Sequence, residues 1–124
     1  MDEVQRAVNA EATRILRELE ELPFEDCYPL TREFDELPPR PGIYAVKHRS
    51  QGILYIGKSG NVRSRFRSGH KALGWAFLDR LDPDDVRIAV EPLSFQWVRL
   101  SLQIEQRIIQ ALLPPYNVRI APAE

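Results

Sequence analysis

The sequence predicts an α+β fold: a small, mostly antiparallel three-stranded sheet flanked by helices, with an N-terminal helical extension. Three observations carry this. Residues 42–48 and 53–58 are short runs rich in Ile, Val and Tyr, separated by the turn Arg49–Gly52, the pattern of a hairpin. Val86, Ile88 and Val90 alternate as a further strand. Apolar residues recur at helical spacing over 3–21 and 95–113. The order helix, connector, ββα(α)βα segregates strands and helices as α+β folds do.

In chain order, Val4, Val8, Ala12, Ile15, Leu16 and Leu19 form one apolar stripe of an otherwise charged helix. That stripe packs on the rest of the domain; docking a protein partner or a second copy of the chain is the alternative. Residues 22–41 contain five prolines and read as an ordered connector anchored by Leu30, Phe34 and Leu37. We therefore divide the chain into an extension, 1–40, and a domain, 41–120. Ser59-Gly60-Asn61 ends the hairpin, and Asn61 is a good N-cap for a short helix from Val62 to about Ser68. A second helical segment covers about 71–81, and Asp82-Pro83-Asp84-Asp85 turns the chain. The longest helix, 95–113, stops at Pro114-Pro115, and 116–120 has room for a last short strand.

Composition excludes several classes. The 124 residues are 44% hydrophobic and 28% charged, an ordinary globular balance. No apolar run approaches the roughly 18 residues of a membrane span, and Met1-Asp2-Glu3 is too acidic for a secretory signal, so cytoplasm is the expected compartment. A single cysteine, Cys27, allows neither an internal disulfide nor a cysteine-based zinc site. The net charge of −1 hides a segregation. Residues 1–36 carry 11 acids and 4 bases, 37–78 carry 8 bases and no acid, and 79–124 carry 7 acids and 5 bases. An acid-free stretch of 42 residues is the footprint of a polyanion partner, or else a solvated basic face.

Five features carry candidate chemistry. Glu105 shares a helical stripe with Val98, Leu102, Ile109 and Leu112, where a lone carboxylate needs a cation, a metal or a proton; a pairing with arginine at the stripe's edge is the alternative. In the short basic helix Val62 and Phe66 point inward, Arg63 and Arg67 share one flank, and Arg65 stands alone on the other, semi-inward. A lone arginine there suits bidentate phosphate contact, whereas Arg63 and Arg67 suit backbone contacts or solubility. Tyr44 and Tyr55 sit on paired strands, where core packing with the hydroxyl at the rim is the plain alternative. Gly57-Lys58-Ser59-Gly60-Asn61 lacks phosphate-loop spacing, but Lys58 leaves its strand where it can face the same cleft. His48 and His70 have no metal-pair spacing, and His70 sits among bases.

These residues in this order resemble the GIY-YIG nuclease superfamily. Gly42-Ile43-Tyr44 and Tyr55-Ile56-Gly57 are similar to its two name-giving tripeptides, Asn61-Val-Arg-Ser-Arg65 to its arginine helix, and Glu105 with Asn117 to its glutamate and asparagine. Several relatives carry His or Tyr four residues after the arginine; here that position is Gly69 and His70 follows. The resemblance implies a metal-dependent endonuclease hydrolysing phosphodiester bonds, with DNA as the expected nucleic acid. Glu105 would hold one Mg²⁺ or Mn²⁺ and Arg65 would clamp a phosphate. Tyr44 would take the proton of the attacking water while Tyr55 positions phosphate or water, the exchanged roles standing as the alternative. Lys58, the metal or Arg65 would lower the pKa of the base, and His70 would relay a proton. Asn61, Arg63, Arg67 and Lys71 would contact nucleic acid, and Gly42, Gly57 and Asn117 would be structural. A catalytically inactive nucleic-acid-binding or protein-interaction module is the competing reading.

Overall fold

The computed structural model describes residues 2–120. The chain runs α1 (Glu3–Glu21), β1 (Tyr28–Pro29), β2 (Gly42–His48), β3 (Gly52–Ser59), α2 (Val62–Arg67), α3 (Lys71–Leu78), β4 (Val86–Pro92), α4 (Phe95–Val98), α5 (Ser101–Leu112) and α6 (Pro115–Ile120). The fold is α+β, and its sheet is antiparallel with strand order β1-β4-β2-β3. The expected three strands gain a fourth, because the connector pairs Tyr28 and Pro29 with Ile88 and Arg87 at the β4 edge. Two residues with no apolar alternation leave no periodicity to detect.

The sheet is covered on both faces, and each face has its own core. Ile43, Ala45, Ile56 and Ala89 meet Val8, Ala12, Ile15 and Leu19 of α1 and Ile104 and Ile108 of α5. The α1 stripe is thus spent inside the molecule; burying Ile15 and Leu19 fully contributes about 2 kcal/mol each. On the other face Tyr44, Val46, Tyr55, Val86 and Ile88 meet Leu37, Val62, Phe66, Ala72, Ala76 and Tyr116, with Leu30 and Phe34 against them. Tyr44 and Tyr55 share that face because β2 and β3 pair Tyr44 with Gly57 and Val46 with Tyr55. A register shift follows, Lys47 pairing with Ile53, so Leu54 is an extra residue and packs on the same face as Tyr55.

Two expected elements differ. The 95–113 helix is broken: α4 ends at Val98, and Leu100 (φ −106, ψ 12) starts α5. The break re-phases the helix, so Ile104 and Ile108 centre its inward face and Leu102 is 51% exposed. Residues 116–120 are helix, not strand. Leu113 takes a left-handed conformation that stops α5, and Pro115 begins α6 with its fixed φ already helical.

Lys47 carries a role with no local sequence signal. It is buried, and its Nζ donates to the carbonyls of Leu19 and Leu22 at 2.8 Å each and of Glu20 at 3.5 Å. The last turn of α1 holds no basic residue, so β2 supplies the cation its orphan carbonyls and dipole favour. Among the described residues no helix is long and apolar enough to cross a membrane.

Candidate active site

The site begins with a missing side chain. Gly57 lies opposite Tyr44, and a Cβ there would stand 2.5 Å from the Tyr44 ring and hydroxyl. Glycine therefore lets the phenol lie flat across β3. Gly42 is also confined, a Cβ meeting the Glu91 carbonyl at 3.1 Å. The rings then assemble: Tyr44 and Tyr55 lie 6.2 Å apart, Tyr55 is 5.0 Å from His70, and Phe66 stacks on His70 at 4.7 Å. The Phe66 stack had no sequence signal beyond its inward position in α2.

His70 joins this group through backbone geometry. Gly69 adopts φ +93, a left-handed conformation that swings the chain out of α2, so the histidine one position later faces Tyr44. His70 Nδ1 accepts the Ala72 amide at 3.0 Å, capping α3. Its Nε2 lies 2.6 Å from the Tyr44 hydroxyl. With Nδ1 accepting, the ring proton of the neutral tautomer is on Nε2 and is donated to Tyr44. Burial first, then Arg65 and Lys71, push the imidazole down to about 4, so it is neutral at pH 7. The expected relay meets a geometric obstacle, since an Nε2 that donates cannot also take the phenol's proton.

The α2 flanks separate as their spacing requires. Val62 and Phe66 are buried, and Asn61 caps the helix through the Ser64 amide at 3.0 Å. Arg65 donates to the Gly69 carbonyl at 2.9 Å and reaches the Tyr44 hydroxyl. Arg63 donates to the carbonyls of Leu37 (2.9 Å) and Asp35 (2.7 Å). Arg67 donates to the Glu33 carbonyl at 2.7 Å and pairs with the Asp35 carboxylate. The donors of Arg63 and Arg67 thus strap the connector to α2, and Asn61 is engaged as a cap. Lys71 is exposed at the start of α3.

Glu105 approaches from the opposite layer. Helix α5 covers the face away from the tyrosines, but β3 is an edge strand. Glu105 on α5 is half-buried and lies within electrostatic reach of Lys58 on that edge strand. Two residues back along the edge, Asn117 Oδ1 accepts from Ile56 N (2.8 Å) and its Nδ2 donates to Ile56 O (2.9 Å). Asn117 thus satisfies strand edge that would otherwise stay open and fixes Ile56 between Tyr55 and Gly57. Burial pushes the Glu105 carboxyl up, against the pull of Lys58. Burial also pushes both phenols up; Tyr55 and Glu105 add to this at Tyr44 and Glu105 at Tyr55, with Arg65 opposing at each.

No cluster of three or more metal-ligating side chains occurs among the described residues. Among the described residues Glu105 forms no salt bridge, and a half-buried carboxylate of this kind fits a hard divalent ion. Magnesium is commonly held by one or two carboxylates, with water and phosphate oxygens completing the shell.

The profile of the GIY-YIG catalytic domain matches residues 40–117. UvrABC system protein C of Chlorobium chlorochromatii (strain CaD3) is 32% identical over 95 residues, 73% of this chain and 14% of that protein. The same-named protein of Anaeromyxobacter dehalogenans (strain 2CP-1 / ATCC BAA-258) is 33% identical over 97 residues, 73% of this chain and 13% of its own length. The chain therefore spans about one-seventh of the relatives it resembles. With the profile covering well over half of the sequence, and both tripeptides meeting across one hairpin, the chain belongs to the GIY-YIG family.

Proposed function

We propose that the chain is a metal-dependent endonuclease that hydrolyses phosphodiester bonds in DNA. The observation that carries this is the cluster of Tyr44, Tyr55 and His70 beside Arg65 on one face of the sheet, with the half-buried Glu105 of α5 close enough for its charge to act on both phenols. An isolated binding surface has no use for a half-buried carboxylate whose charge acts on two buried phenols.

Arg65, steadied by the Gly69 carbonyl, clamps a phosphate oxygen as negative charge builds. One phenol takes the proton of the attacking water. Tyr44 suits that role, because His70 Nε2–H donates to its oxygen and favours the phenolate. His70 is then a fixed donor. Tyr55, with no hydrogen bond to its hydroxyl among the described residues, positions water or phosphate. Glu105 is the residue that would hold Mg²⁺ or Mn²⁺, which when bound supplies charge stabilisation at the phosphoryl group and leaving oxygen. Burial is the main reason both phenols are raised, and the Glu105 charge adds to it at each, so neutralising that carboxylate would ease the smaller part of the shift.

The test is incubation of supercoiled plasmid and branched DNA with Mg²⁺ or Mn²⁺. Wild type is expected to nick, and Glu105→Ala is expected not to. Binding without cleavage under either ion, or equal nicking by Glu105→Ala, overturns the nuclease reading in favour of a binding module.

A further inference from the structure

Helix α2 has six residues, too few to hold a helical shape alone. The connector before β2 holds it. The Val62 amide donates to the Arg40 carbonyl at 3.1 Å and the Arg63 amide to the Pro38 carbonyl at 3.2 Å. These are two of the four amides that a helix start leaves unpaired. The half-buried Arg63 side chain then reaches further back along the connector. Its Nε donates to the Leu37 carbonyl at 2.9 Å and its Nη2 to the Asp35 carbonyl at 2.7 Å. Two carbonyls two residues apart suit the rigid fork of a guanidinium, whereas an ammonium on a flexible stem is a point charge.

The connector is itself fixed where Arg63 grips it. Leu37 is buried in the core of the tyrosine face. Phe34 takes φ +54, a left-handed backbone that phenylalanine rarely adopts, and its ring lies 5.7 Å from Phe66. Such a conformation costs energy and persists where the surroundings over-determine it. Phe66 in turn stacks on His70. Arg65 stands two residues after Arg63, on the opposite flank of the same short helix. Its own anchor, the Gly69 carbonyl, lies past the other end of α2. A helix that rotates or frays at Arg63 therefore turns Arg65 away from the site.

We infer that Arg63 is a positioning residue for the phosphodiester hydrolysis proposed above, a reading on which this inference rests: by clamping α2 to the connector it sets the direction in which Arg65 points. The connector from Asp35 to Arg40 then belongs to the working domain and not to the extension. This role differs from the direct nucleic-acid contact expected of Arg63, because two of its donors are committed to carbonyls. A direct contact depends on charge, and positioning depends on the fork. Arg63→Lys separates the two, since it keeps the charge and loses the fork.

The experiment measures kcat and KM for nicking of supercoiled plasmid by the full chain with Mg²⁺ or Mn²⁺. Wild type, Arg63→Lys, Arg65→Ala and the double variant are compared at a temperature where circular dichroism shows all four folded. Arg63→Lys is expected to lower kcat about 100-fold, the loss that a misplacement of about 1 Å brings, with KM for DNA unchanged. In the Arg65→Ala background the same substitution is expected to cost nothing further, because the group it aims is gone. The Arg65 guanidinium resonances in ¹⁵N spectra are expected to move in Arg63→Lys without DNA present. A higher KM at unchanged kcat overturns the inference in favour of direct contact. Equal losses in both backgrounds overturn it in favour of a general loss of structure. If wild type nicks and Arg63→Lys nicks equally, this inference alone falls; if wild type nicks with neither ion, the nuclease reading falls and takes it along.

Discussion

On one face of the sheet Ile43, Ala45, Ile56 and Ala89 meet the aliphatic stripes of α1 and α5; on the other, Tyr44 and Tyr55 meet Phe66 and His70. Both faces are buried, yet they are built for different ends. The aliphatic face maximises apolar burial, and its buried lysine, Lys47, sits at the margin under α1. The aromatic face places two phenols, an imidazole and a guanidinium within mutual influence and accepts raised or lowered pKa values as a result. Both faces bury a core, but the phenols and the imidazole gather on the aromatic one, with Glu105 acting on them from α5.

The comparison breaks most visibly at Glu105. Glu105→Gln is expected to lower DNA nicking by about 10³-fold, or about 4 kcal/mol of barrier. Removing a half-buried carboxylate should at the same time raise the melting temperature in metal-free buffer, the usual opposition between function and stability. Ile104→Ala is the converse case. It opens a cavity in the aliphatic core and should cost about 3 kcal/mol in urea unfolding, with nicking per folded molecule unchanged.

Gly57→Ala probes the contact between β2 and β3 on the tyrosine face. Its Cβ cannot coexist with the Tyr44 ring at 2.5 Å, so the phenol must move. We expect about 2 kcal/mol of destabilisation and a loss of nicking larger than that instability explains, measured by rate at a temperature where the variant is folded. Lys47→Met should cost about 1 kcal/mol by unpairing α1 carbonyls, with no change in nicking.

The remaining effect is a pH slope. His70 is held near 4 in the folded chain and returns to about 6.5 when unfolded. Between those values the unfolded state binds more protons, so stability is full above about 6.5 and falls as pH drops toward 4. His70→Gln should flatten that part of the melting-temperature profile relative to wild type.

The hairpin, the third strand and the division of α2 into two flanks were legible because alternation and the 3.6-residue repeat are local properties. Glu105 was legible as an apolar-stripe carboxylate, although its stripe was assigned through Leu102, which the break at Leu100 turns outward. That break, the β1 pairing, and Lys47 reaching 25 or more residues back to α1 depend on tertiary contacts that no sequence window contains. The His70 geometry lay between: Gly69 signalled a turn, but only its positive φ explains why a histidine one position late still reaches Tyr44.

The central claim is that an acid from one layer and phenols from the other share one pocket. Titrating Mn²⁺ into the metal-free chain, while following the ring resonances of Tyr44 and Tyr55 by NMR, tests it most directly. Paramagnetic broadening of both rings in wild type, absent in Glu105→Gln, is the expected result. Broadening that spares both rings, or that persists in Glu105→Gln, would contradict it.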